Sequence, residues 1–389
     1  MTAINKPYYT VNEHIFINKI DAILYAMANG NQDVKWNFYK ESFKKVNWTI
    51  EPDITIDELY RRRAIQIRES YDYVVVLCSG GADSTNVVKT FLNYGVKIDE
   101  IIAGAPMSGL RDYQFNDKDA SGGNTISETV YTQLPLIKEI AAQYPSVKIT
   151  IHDYFEDMLA YKTDDWLVRS EDWIHPSSAA KYRFERYKHL RDIADSGKKI
   201  AFVYGIDKPK LVRAQDDNFY VSIADLAYNV MRPPFDRDYP NVDNVAFYWT
   251  GDMPEIVCKQ SHLIARFVMD KKNSIAKSYM YDLNNVANYT SFELIRLRHG
   301  RYERAIVPCI YPSTYTNIFQ TEKPLKLFLS EEDDWFYILH NKTRTYELIQ
   351  SDTKSLHNMI DKKYLNQSKS GFENYTNYYK IGPVQNFIS

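Results

Sequence analysis

The chain has 389 residues, more than one average domain of roughly 100–200 residues, so two or three domains are expected. Hydrophobic residues make up 44% and charged residues 25%, the balance of a globular protein that can bury a sizeable core. The formal net charge of −2 excludes a general attraction to nucleic acid or acidic lipid, so any such binding needs a local patch.

Residues 1–70 read as a helical N-terminal extension. Ile17, Ile20, Ile23, Leu24 and Met27 form a helical stripe that stops near Gly30. A second helix is predicted over 56–69, with Ile56, Leu59, Ala64, Ile65 and Ile67 apolar. Its Arg61, Arg62, Arg63 and Arg68 read as a solvated charged face. The texture changes at Tyr71. Val74-Val75-Val76-Leu77 is a short β-branched run, the mark of a strand buried on both faces. Gly80-Gly81 breaks it, and a helix over 84–94 follows, stopped by Gly95. A second strand (97–104), a helix (127–143, kinked or split at Pro135), a third strand (147–152), a long helix (177–195) and a fourth strand (199–204) come next. Alternating strands and helices over 71–245 predict a parallel sheet with helices on both faces. Residues 246–389 read as a mainly helical C-terminal domain, a candidate for acceptor recognition. Asp252 is the expected cap of a helix through Ile256, Val257, Leu263, Ile264 and Phe267. Further helices near 273–283 and 291–298, a hairpin over 335–349 and a polar, loosely ordered tail after 365 complete the expectation.

Cys78, Cys258 and Cys309 are widely spaced and form no C-x-x-C pair, which argues against a disulfide framework or a structural metal cluster. Reduced thiols in a cytosol follow. With no apolar leader after Met1 and no apolar run of about 18 residues, a cytoplasmic protein is expected.

The chemistry concentrates in Ser79-Gly80-Gly81-Ala82-Asp83-Ser84-Thr85. A strand that ends in glycines and feeds a helix N-terminus presents several N–H groups to one phosphate. Asp83 beside such a site suits Mg²⁺ or a helix cap. The Walker lysine pattern and the dinucleotide glycine fingerprint are both absent. S-G-G-x-D-S instead resembles the PP-loop signature of the adenine nucleotide α-hydrolase-like superfamily, over about residues 71–225. The resemblance implies a Rossmann-like doubly wound parallel sheet and ATP cleavage between the α and β phosphates. It places Ser79, Gly80, Gly81, Ala82, Asp83, Ser84 and Thr85 around the pyrophosphate portion of ATP, and Ala103-Gly104 beside adenine and ribose.

A second motif, Tyr204-Gly-Ile-Asp-Lys-Pro-Lys210, follows the fourth strand on the same sheet edge, where open α/β sheets bind ligands. Gly205 borders the nucleotide, Lys208 and Lys210 are candidates to stabilise the leaving pyrophosphate, and Asp207 joins Asp83 as a candidate Mg²⁺ ligand. Arg213 is a reserve. The long loop 105–126 reads equally as a substrate lid or as disorder. Lys181–Arg191 is basic with interleaved aromatics, a pattern that can grip nucleic acid, but the helical spacing of Phe184, Tyr187 and Leu190 favours a core-facing stripe with the charges as a solvated face. Trp166, Trp173 and His175 fit a substrate pocket or loop packing, and His262 a satisfied helix face.

The expected function is AMP-forming activation of an acceptor carboxylate, carbonyl or nucleobase, with ATP and Mg²⁺, for ligation, amidation or modification of a nucleotide or nucleic acid. The alternatives are a nucleotide-binding module without turnover and a thiolating tRNA or DNA modification enzyme. No room exists in 1–70 for a glutaminase domain, and no cysteine cluster supports the zinc-bearing or sulfonucleotide branches. The remaining pattern, including Asp252-Met-Pro-Glu-Ile-Val and Lys259-Gln-Ser-His262, resembles uncharacterised PP-loop proteins of large bacteriophages, which implies a host cytoplasm as location.

Overall fold

The structure, a computed structural model, describes residues 7–17, 19–105, 107, 129–153, 187–205, 208–214, 216–223, 225, 239–270, 272, 295–296, 309–312, 361–364 and 376–388. The chain opens with β1 (Tyr8–Val11), β2 (His14–Phe16), α1 (Lys19–Ala28), β3 (Val34–Asn37), α2 (Lys40–Phe43) and α3 (Ile56–Ser70). The first three strands form an antiparallel sheet in the order β2-β1-β3, which adds to the mainly helical extension expected here. In β1 the residues alternate, with Tyr9 and Val11 buried and their neighbours half-exposed, which is strand period. Tyr9 packs its ring 4.9 Å from Trp36 of β3 and donates its hydroxyl to Asp225 at 2.8 Å. Asp225 also pairs with the buried Lys19 at 2.9 Å, so a desolvated ion pair fixes this layer to the chain beyond residue 223. Both expected helices are present: α1 ends before Gly30, whose φ is +84°, and α3 starts on Thr55, whose hydroxyl accepts from the Glu58 amide at 3.2 Å.

The apolar run becomes β4 (Tyr73–Leu77), followed by α4 (Ala82–Asn93), β5 (Glu100–Ala105), α5 (Leu134–Gln143), β6 (Lys148–Asp153), α6 (Lys188–Asp195) and β7 (Ile200–Tyr204). A π-helical turn over Thr129–Gln133 runs directly into α5, and Pro135 stands in the first turn of α5, so the helical stretch changes form just before the proline, as a proline that splits a helix requires. After β8 (Lys210–Arg213) and β9 (Asn218–Ser222) comes β10 (Val242–Ala246), which closes a five-stranded, all-parallel sheet in the order β10-β7-β4-β5-β6. The chain builds outward from β4 to β6, then returns to the other side of β4 with β7 and β10. That is the Rossmann-like order, and β4 is central as its sequence requires. Val74, Val75 and Val76 are fully buried, each contributing about 1.5–3 kcal/mol relative to exposure.

Beyond the sheet, α7 (Glu255–Met269) packs on α3, which in turn packs on α4. Asp252 does not cap α7. Pro254 occupies the cap position, and the Asp252 carboxylate instead meets Thr250 Oγ1 at 3.3 Å and Arg63 Nη1 at 3.4 Å. Arg63 leaves the expected charged face altogether: it is buried and donates to the Ala246 carbonyl at 2.9 Å. Lys259 reaches Glu51 at 2.6 Å and the Pro52 carbonyl at 2.9 Å, and His262 donates to the Trp48 carbonyl at 2.9 Å, a satisfied helix-face histidine as expected. Burial holds the His262 imidazole below its ordinary range, against the opposing backbone hydrogen bond.

β11 (Ile295–Arg296) and β12 (Tyr379–Pro383) join β8 and β9 in an antiparallel sheet, ordered β11-β8-β9-β12. This replaces the helix expected at 295–296 and the loose tail expected at 379–383. Ile381, Val384 and Phe387 are buried, and Tyr379 stacks on Trp48 at 4.5 Å. Among its described residues the C-terminal region thus combines the helix α7 with the short strands β11 and β12. None of the described helices is long and apolar enough to cross a membrane. The expected helix over 273–283, the hairpin over 335–349, the 108–126 part of the loop, and Trp166, Trp173, His175 and Phe184 lie outside the described residues. Tyr187 and Leu190 are buried, as expected of a core-facing stripe.

Candidate nucleotide site

The strand order reverses between β4 and β7, and open parallel sheets bind ligands in the crevice outside the carboxyl ends of the strands at such a point. Both predicted motifs end there. After β4 the chain turns through Cys78, Ser79, Gly80 and Gly81 into α4, and after β7 it passes Gly205 toward Lys208.

The loop is shaped by small residues. Gly80 has φ +82°, and a Cβ on it would stand 2.7 Å from the Gln133 backbone. Gly81 precedes α4 with no side-chain cap, so the amides of the first turn carry the positive end of the helix dipole and lack intrahelical acceptors. Ser79 Oγ and Ser84 Oγ lie 3.1 Å apart, Ser84 Oγ also accepts from the Ser79 amide at 3.2 Å, and Thr85 Oγ1 donates to the Gly80 carbonyl at 3.2 Å. Ser79 is exposed, Gly81 and Asp83 are half-buried, and Gly80, Ala82, Ser84 and Thr85 are buried. The hydroxyls of Ser84 and Thr85 thus hold the loop in shape, and Ser79 is the one of the three that faces solvent.

Across the crevice, Lys208 Nζ donates to Asp83 Oδ2 at 2.9 Å, with both side chains largely buried. Two residues singled out from separate motifs, 125 positions apart, therefore meet. Gly205 makes this approach feasible, since a Cβ there would lie 2.7 Å from the Asp83 carbonyl oxygen. Ala103 is fully buried and Gly104 half-buried at the end of β5, so of this pair only Gly104 keeps accessible surface. Lys210 opens β8, opposite Ser222 of β9. Arg213 lies on β8 in the antiparallel sheet and donates its Nε to Asp217 at 2.7 Å. Asp207 lies outside the described residues.

Three side chains at the site carried no local signal. Gln133 is fully buried and donates through Nε2 to the Cys78 carbonyl at 2.7 Å and the Gly104 carbonyl at 3.0 Å, tying together the ends of β4 and β5. Tyr248 donates to the Asp83 carbonyl at 2.8 Å and accepts from Asn86 at 2.9 Å. Tyr311 donates to Asp83 Oδ1. All three lie far from the loop in sequence, and no motif could have marked them.

Among the described residues no group of three or more His, Cys, Asp or Glu could hold a metal ion. A magnesium ion carried by phosphates needs only one or two carboxylates. Asp83 fits that role, being a half-buried carboxylate in the first turn of α4 beside the loop. No protein-family model matches the chain, and no curated protein matches it in sequence.

Proposed function

We propose that the protein binds ATP in the β4/β7 crevice and cleaves it between the α and β phosphates, transferring AMP to an acceptor oxygen. The observation that carries this reading is the ion pair of Lys208 with Asp83 across the switch-point crevice, directly over a glycine-bearing loop and an uncapped helix start. The resemblance of Ser79–Ser84 to the PP-loop signature supports it. The phosphates would lie against the first turn of α4, where amide donors and the helix dipole stabilise negative charge. Lys208 would exchange its carboxylate partner for the pyrophosphate oxygens, whose charge grows as the bond to the α phosphorus breaks. An acceptor carboxylate, carbonyl or nucleobase oxygen forms the new bond to that phosphorus, and pyrophosphate leaves with the electron pair. Magnesium, when bound beside Asp83, would supply further charge neutralisation. The remainder of the rate gain would come from holding the two reactants in line.

The test is product analysis with α- and γ-labelled ATP and Mg²⁺, with a cell extract as the pool of acceptors and Asp83→Ala beside the wild type. AMP and pyrophosphate from the wild type alone are expected. ADP and phosphate would overturn the reading, and tight ATP binding without any product would leave a nucleotide sensor or an acceptor missing from the extract, with the nucleotide-bound structure as the next step.

A further inference from the structure

Asp83 is held from two sides. Lys208 takes Oδ2, and the hydroxyl of Tyr311 takes Oδ1. Tyr311 arrives from the segment beyond α7 and is fully buried, with its ring 5.1 Å from that of Tyr248 and 5.8 Å from Lys208 Nζ. Its position is fixed through its neighbour. The Ile310 carbonyl accepts from the Tyr60 hydroxyl at 2.6 Å, and that hydroxyl accepts from Gln260 Nε2 at 2.8 Å. A buried relay therefore runs from α7 through α3 to residues 310–311 and on to the Asp83 carboxylate. Tyr248 fixes the backbone of the same aspartate. Burial pushes the Tyr60, Tyr248 and Tyr311 phenols well above their ordinary range, and the Asp83 charge adds to this, so the three hydroxyls stay protonated donors near neutral pH.

We infer that Tyr311 is a positioning residue of the nucleotide site, holding one oxygen of Asp83 so that the other alone is presented toward Lys208. The inference rests on the ATP reading above and deepens it: the chain beyond α7 completes the phosphate end of the site. A carboxylate anchored at one oxygen keeps a single orientation when Lys208 turns to phosphate. Without that anchor it is free to rotate, and its hold on a phosphate-bound magnesium weakens.

The experiment measures ATP affinity by equilibrium dialysis across a Mg²⁺ titration, for the wild type, Tyr311→Phe, Asp83→Asn and the double variant. Tyr311→Phe keeps the ring and removes only the hydroxyl. It is expected to raise the half-saturating Mg²⁺ concentration about tenfold, as loss of a hydrogen bond to a charged group does, while affinity without Mg²⁺ stays within about twofold. In the Asp83→Asn background the same change has no further effect, an outcome that mere packing would not produce. An unchanged Mg²⁺ response in folded Tyr311→Phe overturns the inference alone. A wild type that does not bind ATP at all overturns the ATP reading and this inference with it. If Tyr311→Phe does not fold, Tyr60→Phe decides the matter. It loosens Ile310 without touching Asp83, so a smaller shift in the same direction supports the relay and an unchanged response refutes it.

Discussion

Gly80 and Gly95 both sit in the left-handed region, at φ +82° and +65°, yet their surroundings differ. A Cβ on Gly95 would meet nothing within 4 Å, whereas one on Gly80 would stand 2.7 Å from the Cα, N and Cβ of Gln133. Alanine at Gly95 should therefore cost only the left-handed penalty, about 1–2 kcal/mol. Alanine at Gly80 carries that penalty plus the crowding of a buried backbone that cannot step aside, a further 1–3 kcal/mol or so. The two variants should differ by about the crowding increment in urea unfolding, read as a shift in midpoint at constant slope. ATP affinity should separate them further. Gly95→Ala, at the far end of α4, should bind as the wild type does, and Gly80→Ala should bind at least about tenfold more weakly because the loop must lift off Gln133. Equal losses of stability would show that the loop is not pressed against Gln133, and the account of its shape would fail.

Gln133→Leu leaves the Cys78 and Gly104 carbonyls without their buried donor, so a loss of about 1–3 kcal/mol is expected on thermal unfolding, together with weaker ATP binding. Loss of stability with ATP affinity unchanged would detach Gln133 from the site. Arg63→Met removes the donor to the buried Ala246 carbonyl and should destabilise the protein by about 1–3 kcal/mol, measured by the same unfolding. A neutral result would mean that the apolar replacement offsets the lost bond. Burial works to raise the Glu51 carboxyl, but the hydrogen bonds from Arg266 and Lys259 outweigh it and hold the group down at about 2, from an ordinary 4.5. The folded state thus binds its proton later than the unfolded chain does, so the stabilisation is complete above pH 4.5 and is lost as the pH falls toward 2. Glu51→Gln should be less stable than the wild type by on the order of 1–2 kcal/mol at neutral pH, a figure reduced for the half-exposed Arg266, and the gap should close near pH 2. A gap independent of pH would exclude the ionic contribution.

The central sheet and the glycine loop after β4 were legible because their signals are local. Val74–Leu77 has no polar face, Gly80 and Gly95 punctuate the helix between them, and Lys208 follows its own strand by only a few residues. The antiparallel strands were not legible. β1 shows its alternation over four residues only, and the exposed Ile17 that follows β2 joined the helical stripe of α1. The turn between β8 and β9, with Asp217 at φ +59°, carries no glycine to announce it. β12 lies in an Asn- and Tyr-rich stretch whose composition suggests a loose tail, yet it pairs with β9 and buries Ile381, with Val384 and Phe387 buried just beyond it. Arg63 resembled its neighbours in every local respect. Only Ala246 and Asp252, far along the chain, decide that it turns inward. Gln133 and Tyr311 share this trait, because their partners are set by tertiary approach and no spacing rule reports them.

The distance in sequence between Asp83 and Tyr311 also sets a schedule. A polypeptide grows from its N-terminus, and these two residues are synthesised 228 positions apart. At a translation rate of roughly 5–20 residues per second, the interval is about 10–45 s. Lys208 emerges part-way through it, 125 residues after its aspartate. The nascent chain thus holds its loop and its lysine well before the tyrosine that anchors their shared carboxylate, and the full set of contacts to Asp83 closes only once the downstream segment has left the ribosome and docked.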